Sequence, residues 1–145
     1  KSYDDIDALV VEVSSLRYYI DKYDKLVHGV IHSQLHNFSY HNISKNEFYE
    51  MTEDFIDYCK KPIFFVSHFD RKRKDYREVI WEVLKTISNK NDNIFLIDIS
   101  KLPNLSECLL DDEHFIDSKL NDVCEFMINE IEKNLQSINI KLTKE

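Results

Sequence analysis

The fold is decided by residues 63–99, which read IFFVSHFDRKRKDYREVIWEVLKTISNKNDNIFLIDI. Two apolar runs, Ile63–Ser67 and Asn93–Ile99, stand at its ends, and each has the length and composition of a buried strand. Between them lies an apolar stripe with helical spacing, made of Tyr76, Val79, Ile80, Val83, Leu84 and Ile87. Asp70 is placed to cap this helix. The segment therefore predicts two parallel strands joined by a helix.

The residues upstream repeat the same pattern. Asp7–Leu16 is a Val-rich apolar run that predicts a further buried strand. A helix is predicted to begin at Ser44, because Glu47 three residues later completes a capping box. Its apolar stripe comprises Phe48, Met51, Phe55, Ile56 and Cys59. Pro62 ends this helix, because a proline disfavours helical geometry in the residue before it. Between the predicted strand and this helix, residues 20–43 are expected to form a long excursion with one or two helical turns.

The residues downstream predict one more helix. Asp117 or Ser118 is placed to cap it. Its apolar stripe comprises Leu120, Val123, Cys124, Met127, Ile128, Ile131 and Leu135. Residues 138–142 have the composition of a short edge strand or a tail.

Alternating strands and helices predict an α/β protein with a three-layer architecture, in which helices cover both faces of a mainly parallel sheet. We expect residues 1–145 to form a single domain. The sequence opens with charged residues and without an initiating Met, so we expect it to be the C-terminal part of a larger domain whose first strand or strands lie upstream.

Composition excludes several function classes. The net charge of −8 disfavours binding to a nucleic-acid backbone, and no apolar run approaches the ~20 residues of a membrane helix. Gly29 is the only glycine, which excludes a P-loop and a G-x-G-x-x-G turn. The three cysteines, Cys59, Cys108 and Cys124, include no C-x-x-C pair. We therefore expect buried, reduced thiols, a cytoplasmic location and no cofactor.

Polar residues follow each predicted strand at its carboxyl end, where ligands bind in open α/β sheets. They are Ser14, Ser15 and Arg17, then Ser67, His68 and Asp70, then Asp98 and Ser100, and finally Asp111 and His114. We expect His68 to line a pocket. Arg17 could bind an anionic substrate group or form a structural ion pair.

The strongest candidate is the D-x-x-H pair of Asp111 and His114, in which a carboxylate could orient an imidazole. Asp112 could replace Asp111 as the partner, and the acidic residues could instead be ordinary first-turn residues of a helix. A second candidate is His28 with His32, which would share one helix face and could bind a metal. Against the metal hypothesis, no further acidic residue or cysteine completes a ligand set.

The order of these elements resembles that of the SGNH (GDSL-like) hydrolases and their acyltransferase relatives. LLDDEHFIDSKL, residues 109–120, resembles the family's last catalytic block, with Asp111 and His114 at its aspartate and histidine. KKPIFFVSHFD and NIFLIDISKLPN resemble its fourth and fifth strands, and DALVVEVSSLRYY its third. The family's Gly-x-Asn-Asp block is absent, and residues 14–17 stand in its place. The VEVSS segment resembles divergent branches associated with polysaccharide biosynthesis.

This resemblance implies a flavodoxin-like fold and a serine esterase or O-acyltransferase acting on a carbohydrate or another polar ester. His114 would be the base, Asp111 its partner, and Ser14, Ser15, Arg17 or His68 would contact the substrate or its oxyanion. The serine nucleophile would lie before Lys1. The implied partner is a small-molecule or saccharide ester, with no nucleic acid or membrane, and a homo-oligomer is possible. The alternative is a non-catalytic ligand- or partner-binding domain on the same scaffold.

Overall fold

The computed structural model describes residues 6–13, 16–20, 26–27, 39–68, 76–111 and 114–142, with the backbone path alone at 17–20, 26–27, 39–40 and 138–142. In chain order its strands and helices are β1 (Leu9–Glu12), β2 (Arg17–Ile20), β3 (Leu26–Val27), β4 (Ser39–Asn42), α1 (Lys45–Cys59), β5 (Ile63–Val66), α2 (Arg77–Ser88), β6 (Ile94–Ile97), α3 (Leu105–Cys108) and α4 (Leu120–Leu142). Short 3₁₀ turns cover Ile99–Lys101 and Asp117–Lys119.

Three strands form a small parallel sheet in the order β1-β5-β6. Leu9 of β1 is paired with Ile63 of β5, which is paired in turn with Ile94 of β6. All four residues of β5 are buried, because helices cover both faces of this strand. The predicted strands at Ile63–Ser67 and Asn93–Ile99 are thus confirmed, and the protein is of the α/β class.

The side chains of the sheet alternate between two clusters, as the two-residue period of a strand requires. Ile63 and Phe65 pack among residues of α1 and α2, including Ile56, Cys59, Ile80 and Leu84. Phe64 and Val66 point the other way and pack with residues of α4, including Phe126, Met127 and Ile131. The apolar residues predicted to face the sheet from α2 belong to the first cluster.

The helix α1 begins as predicted. Ser44 is its N-cap: Ser44 Oγ accepts a hydrogen bond from the Glu47 amide at 3.2 Å, and the Ser44 amide donates to the Glu47 carboxylate at 2.8 Å. The side chain and the amide of Ser44 both hydrogen-bond to the Glu47 carboxylate, and this lowers the pKa of Glu47 because it favours the ionised form. The apolar stripe is narrower than predicted, since Met51 and Phe55 are exposed.

Two further predictions about local structure are wrong. The helix α2 begins only at Arg77 and has Tyr76 as its N-cap, without a side-chain hydrogen bond, so Asp70, which lies outside the described residues, does not cap it. The strand β1 covers four residues rather than ten, and it is not buried on both sides, because Val10 is 49% exposed.

A second sheet, which the sequence did not reveal, occupies part of residues 17–42. It is antiparallel, with the order β3-β2-β4, and Tyr19 of β2 is paired with Val27 on one side and Tyr40 on the other. The helical turns predicted here are not present among the described residues of this segment. These strands are short, and their sequences show too weak a two-residue hydrophobic period to be recognised as strands.

The C-terminal helix corrects two other predictions. It continues through Leu142, so residues 138–142 are helical rather than an edge strand or tail. Cys124 is exposed, whereas Cys59 and Cys108 are buried as expected. Of the helices in the described ranges, none is long and apolar enough to cross a membrane.

Candidate functional site

The predicted D-x-x-H pair lies in a short loop that the backbone closes on itself. Leu109 and Phe115 form an antiparallel β-bridge across it. The Leu110 amide donates to the His114 carbonyl at 2.9 Å, and the Ile116 amide donates to the Cys108 carbonyl at 2.8 Å. Cys108 is buried, so the loop is fixed to the protein core at its base.

Within this loop the Asp111 carboxylate contacts the imidazole of His114 through both oxygens. His114 Nδ1 lies 2.9 Å from Oδ1 and 2.9 Å from Oδ2. An ionised carboxylate can only accept hydrogen bonds, so this geometry favours the tautomer with the proton on Nδ1. In the neutral imidazole, Nε2 then carries the lone pair and can accept a proton.

The same carboxylate also fixes the backbone of the loop, because Asp111 Oδ1 accepts a hydrogen bond from the His114 amide at 2.8 Å. The imidazole and the carboxylate are 67% and 53% exposed. Nε2 accepts no hydrogen bond from any residue in the described part of the chain. The imidazole is therefore accessible to a reactant on its Nε2 side, where no described side chain hydrogen-bonds to it.

A cavity of about 330 Å³ lies beside this loop, on the α4 side of the parallel sheet. Its polar residues stand at the carboxyl ends of strands: Glu12 ends β1, and Ser67 and His68 follow β5. Its apolar residues are Val10, Val66, Ile99, Phe115, Val123 and Met127. Phe115, which forms the β-bridge with Leu109, is the residue of this loop that lines the cavity, and Asp111 and His114 are not among its lining residues.

Ser67 has a structural role in this wall. Its side chain is buried, and Ser67 Oγ accepts a hydrogen bond from the Ile99 amide at 3.0 Å. The Ser67 amide donates to the Ile97 carbonyl at 2.9 Å. Next to it, Asp98 accepts hydrogen bonds from both the amide and the hydroxyl of Ser100, at 3.1 and 2.7 Å. Ser67, Asp98 and Ser100 thus fix the chain where β6 ends.

The structure places the other predicted site residues as follows. His68 is half-buried in the cavity wall. Arg17 begins β2 in the antiparallel sheet, and its side-chain position is not described. Ser14, Ser15, Asp112, His28 and His32 lie outside the described residues. Within the described ranges, no three His, Cys, Asp or Glu side chains are grouped as metal ligands would be.

Two residues of this region were not found from the sequence. Glu12 lines the cavity, and its two-residue spacing from Val10, which places both on one face of β1, was the available signal. Arg77 is buried at the start of α2, beside Ser67 and His68 on the opposite side of the sheet, with its guanidinium 5.7 Å from the centre of the Tyr76 ring. Arg77 follows the basic residues 71–74 closely, so the charge pattern of the sequence did not indicate that it is buried.

Comparison with known proteins does not assign a family. No protein-family model matches the chain, and no curated protein or solved structure is significantly similar to it. The fold and the site define an α/β protein with a small parallel sheet, a cavity on the α4 side of that sheet and an exposed Asp–His pair.

Proposed function

We propose that the chain belongs to an SGNH-like serine ester hydrolase or O-acyltransferase that acts on a carbohydrate or another polar ester. The observation that carries this proposal is the contact of both Asp111 carboxylate oxygens with His114 Nδ1, at 2.9 Å each. This is the arrangement in which a carboxylate orients a catalytic imidazole, with Nε2 directed at a reactant. The position of the pair after β6 and before α4 agrees with the same proposal.

The proposed reaction is acyl transfer through a serine that lies outside the described residues. The serine hydroxyl attacks the ester carbonyl while His114 Nε2 takes its proton, and Asp111 stabilises the imidazolium that forms. The tetrahedral intermediate collapses, the C–O bond to the alcohol breaks, and the alcohol leaves with the proton from Nε2. Water or an acceptor hydroxyl then attacks the acyl-serine in the same way and releases the product.

The intermediate also needs donors for its oxyanion. We propose that these come from the residues that follow β1, from backbone amides at Ser14 or Ser15 or from the side chain of Arg17. His68 is a further donor to the substrate, since it lies in the cavity wall. None of these roles requires a metal or an organic cofactor.

We further propose that the complete fold has three layers and resembles flavodoxin. Two observations support this: α1 and α2 residues pack with one set of sheet side chains, and α4 residues pack with the other. Among the described residues, β1 is paired only with β5, so its other edge is open to a further strand. That strand would come from the same protein or from a second copy, and an open edge favours such pairing.

The alternative is a non-catalytic binding domain in a cytoplasmic protein. The hydrogen bond from the His114 amide to Asp111 Oδ1 favours it, because the aspartate then serves to close the loop. In that case the cavity would bind a ligand, and the exposed imidazole would play no chemical part.

The test is hydrolysis of generic esters, from acetyl to octanoyl, by the native protein that contains this chain, beside a His114→Ala variant. The proposal predicts that kcat/KM falls on the order of 10³-fold in the variant and that added imidazole restores part of it. Circular dichroism would verify that the variant is folded. Equal turnover by the two proteins, or no turnover by the folded wild type, would leave the binding domain as the better account.

A further inference from the structure

The cavity on the α4 side of the parallel sheet has a polar end and an apolar body. Glu12, Ser67 and His68 stand where strands end. From that end the cavity extends along β1 to Val10, two residues and therefore about 6.6 Å further along the strand. On the helix side it is lined by Val123 and Met127, one turn apart on α4.

The register of the sheet explains why this space is open. Val10 is paired with Phe64 and Glu12 with Val66, so all four side chains point to the α4 face. Phe64 and Val66 are covered by residues of α4, whereas Val10 remains 49% exposed. The apolar surface of β1 and the near side of α4 thus face the same unfilled volume.

The size of the cavity selects among acyl groups. Its volume is about 330 Å³, roughly twice the ~150 Å³ of an apolar cavity that takes benzene. An acetyl group would leave most of it empty. A linear chain of roughly six to ten carbons would fill it and bury its methylenes against Val10, Val123 and Met127.

The charge at the polar end selects for a neutral carbonyl group. Glu12 is exposed and acidic, so it disfavours the carboxylate of a free fatty acid. An ester or a thioester carbonyl carries no charge, and His68 in the same wall can bond it. Phe115 also lines the cavity, and it belongs to the β-bridge that closes the loop of His114.

We propose that the cavity binds a medium-length acyl chain attached to a neutral carbonyl, so that the acyl group transferred is longer than acetyl. This inference rests on the proposed acyl transfer. The polar alcohol part of the ester remains outside, in agreement with the exposed position of the Asp111–His114 pair.

The test is a series of p-nitrophenyl esters from acetate to dodecanoate, measured with the native protein and two variants. Met127→Trp fills the cavity, and Ile128→Trp places the same side chain on the neighbouring position, which is 52% exposed and does not line the cavity. In the wild type, kcat/KM should rise about fourfold per methylene until the cavity is full, near eight carbons. The ratio of octanoate to acetate kcat/KM should fall at least tenfold in Met127→Trp and stay unchanged in Ile128→Trp.

A ratio that is flat or falls from acetate upward in the wild type would overturn the inference while leaving acyl transfer intact. So would a ratio that Met127→Trp does not alter. Absence of turnover with every ester would contradict the proposed function instead. Binding of 1-octanol, followed by calorimetry, would then decide the inference by itself: saturable binding lost in Met127→Trp supports it, and no binding to the wild type overturns it.

Discussion

His114 Nδ1 lies 2.9 Å from each carboxylate oxygen of Asp111, in a loop that a β-bridge closes and a buried cysteine anchors. The carboxylate therefore sets both the orientation and the tautomer of an imidazole that is otherwise exposed. Asp111 is separated from His114 by only two residues, so the geometry depends on local backbone structure.

Replacing Asp111 with Asn should remove the carboxylate that stabilises the imidazolium. An amide can also present its N–H to Nδ1 and favour the wrong tautomer, so ester turnover should fall on the order of 10³-fold or more. Steady-state kinetics would measure this. Asp122→Asn is the matched control, because Asp122 accepts a hydrogen bond from Lys119 three residues before it and lies outside the site. Equal losses in both variants would contradict a specific role for Asp111.

Replacing Ser44 with Ala should destabilise the protein by about 1 kcal/mol, because the variant loses the side-chain acceptor at the N-terminus of α1. Urea denaturation at pH 7 would measure the free energy of unfolding. Ser106→Ala is a suitable control, since Ser106 is exposed in α3 and caps no helix. An unchanged midpoint in Ser44→Ala would show that the capping box contributes nothing.

The same capping box should make stability depend on pH. The pKa of Glu47 is lower in the folded protein than its ordinary value of 4.5, so its contribution is present above that value and is lost as pH falls through the lowered pKa. Glu47→Gln keeps a hydrogen-bonding side chain but cannot titrate. Denaturation curves between pH 6 and pH 2 should therefore show a steeper loss for the wild type. Parallel curves would contradict this expectation.

Replacing Phe64 with Ala should cost roughly 3–5 kcal/mol, because its ring is fully buried in the central strand and stacks on Phe95 with ring centres 4.9 Å apart. The same substitution at Phe55, which is 38% exposed on α1, should cost much less. Comparison of the two unfolding free energies removes the effect of residue type. A similar cost at both positions would place the core elsewhere.

Replacing Ser67 with Ala should destabilise the protein by about 1–3 kcal/mol, since the buried amide of Ile99 would lose its acceptor. Thermal unfolding would report the change. Ser67→Thr, which keeps the hydroxyl, should retain part of the lost stability. A fully stable Ser67→Ala protein would mean that this hydrogen bond does not hold the end of β6.

The strands of the parallel sheet could be predicted because β5 and β6 are covered by helices, which makes their sequences almost continuously apolar. The antiparallel sheet could not be predicted, because the pairing of Tyr19 with Tyr40 joins residues far apart in the sequence. In addition, a two-residue strand such as β3 is too short to show the alternating hydrophobic pattern of a strand. Whether a helix start could be predicted depended on its cap. The start of α1 was predicted correctly because the Ser44 side chain caps it, and the start of α2 was missed because the Tyr76 side chain makes no capping hydrogen bond.

The Asp111–His114 contact could be anticipated because three-residue spacing in a tight loop limits the possible partners. The choice between Asp111 and Asp112 could not be made from spacing, since it depends on the turn that the bridge of Leu109 with Phe115 imposes. The cavity was equally hidden, because Val10 and Met127 belong to elements more than a hundred residues apart.

We propose that His114 activates a serine for acyl transfer. The most direct measurement treats the native protein that contains this chain with a fluorophosphonate and identifies the modified residue by mass spectrometry, in the wild type and in His114→Ala. We expect one rapidly modified serine in the wild type and labelling slower by on the order of 10³-fold in the folded variant. Labelling at the same rate in both proteins, or none in the folded wild type, would contradict it.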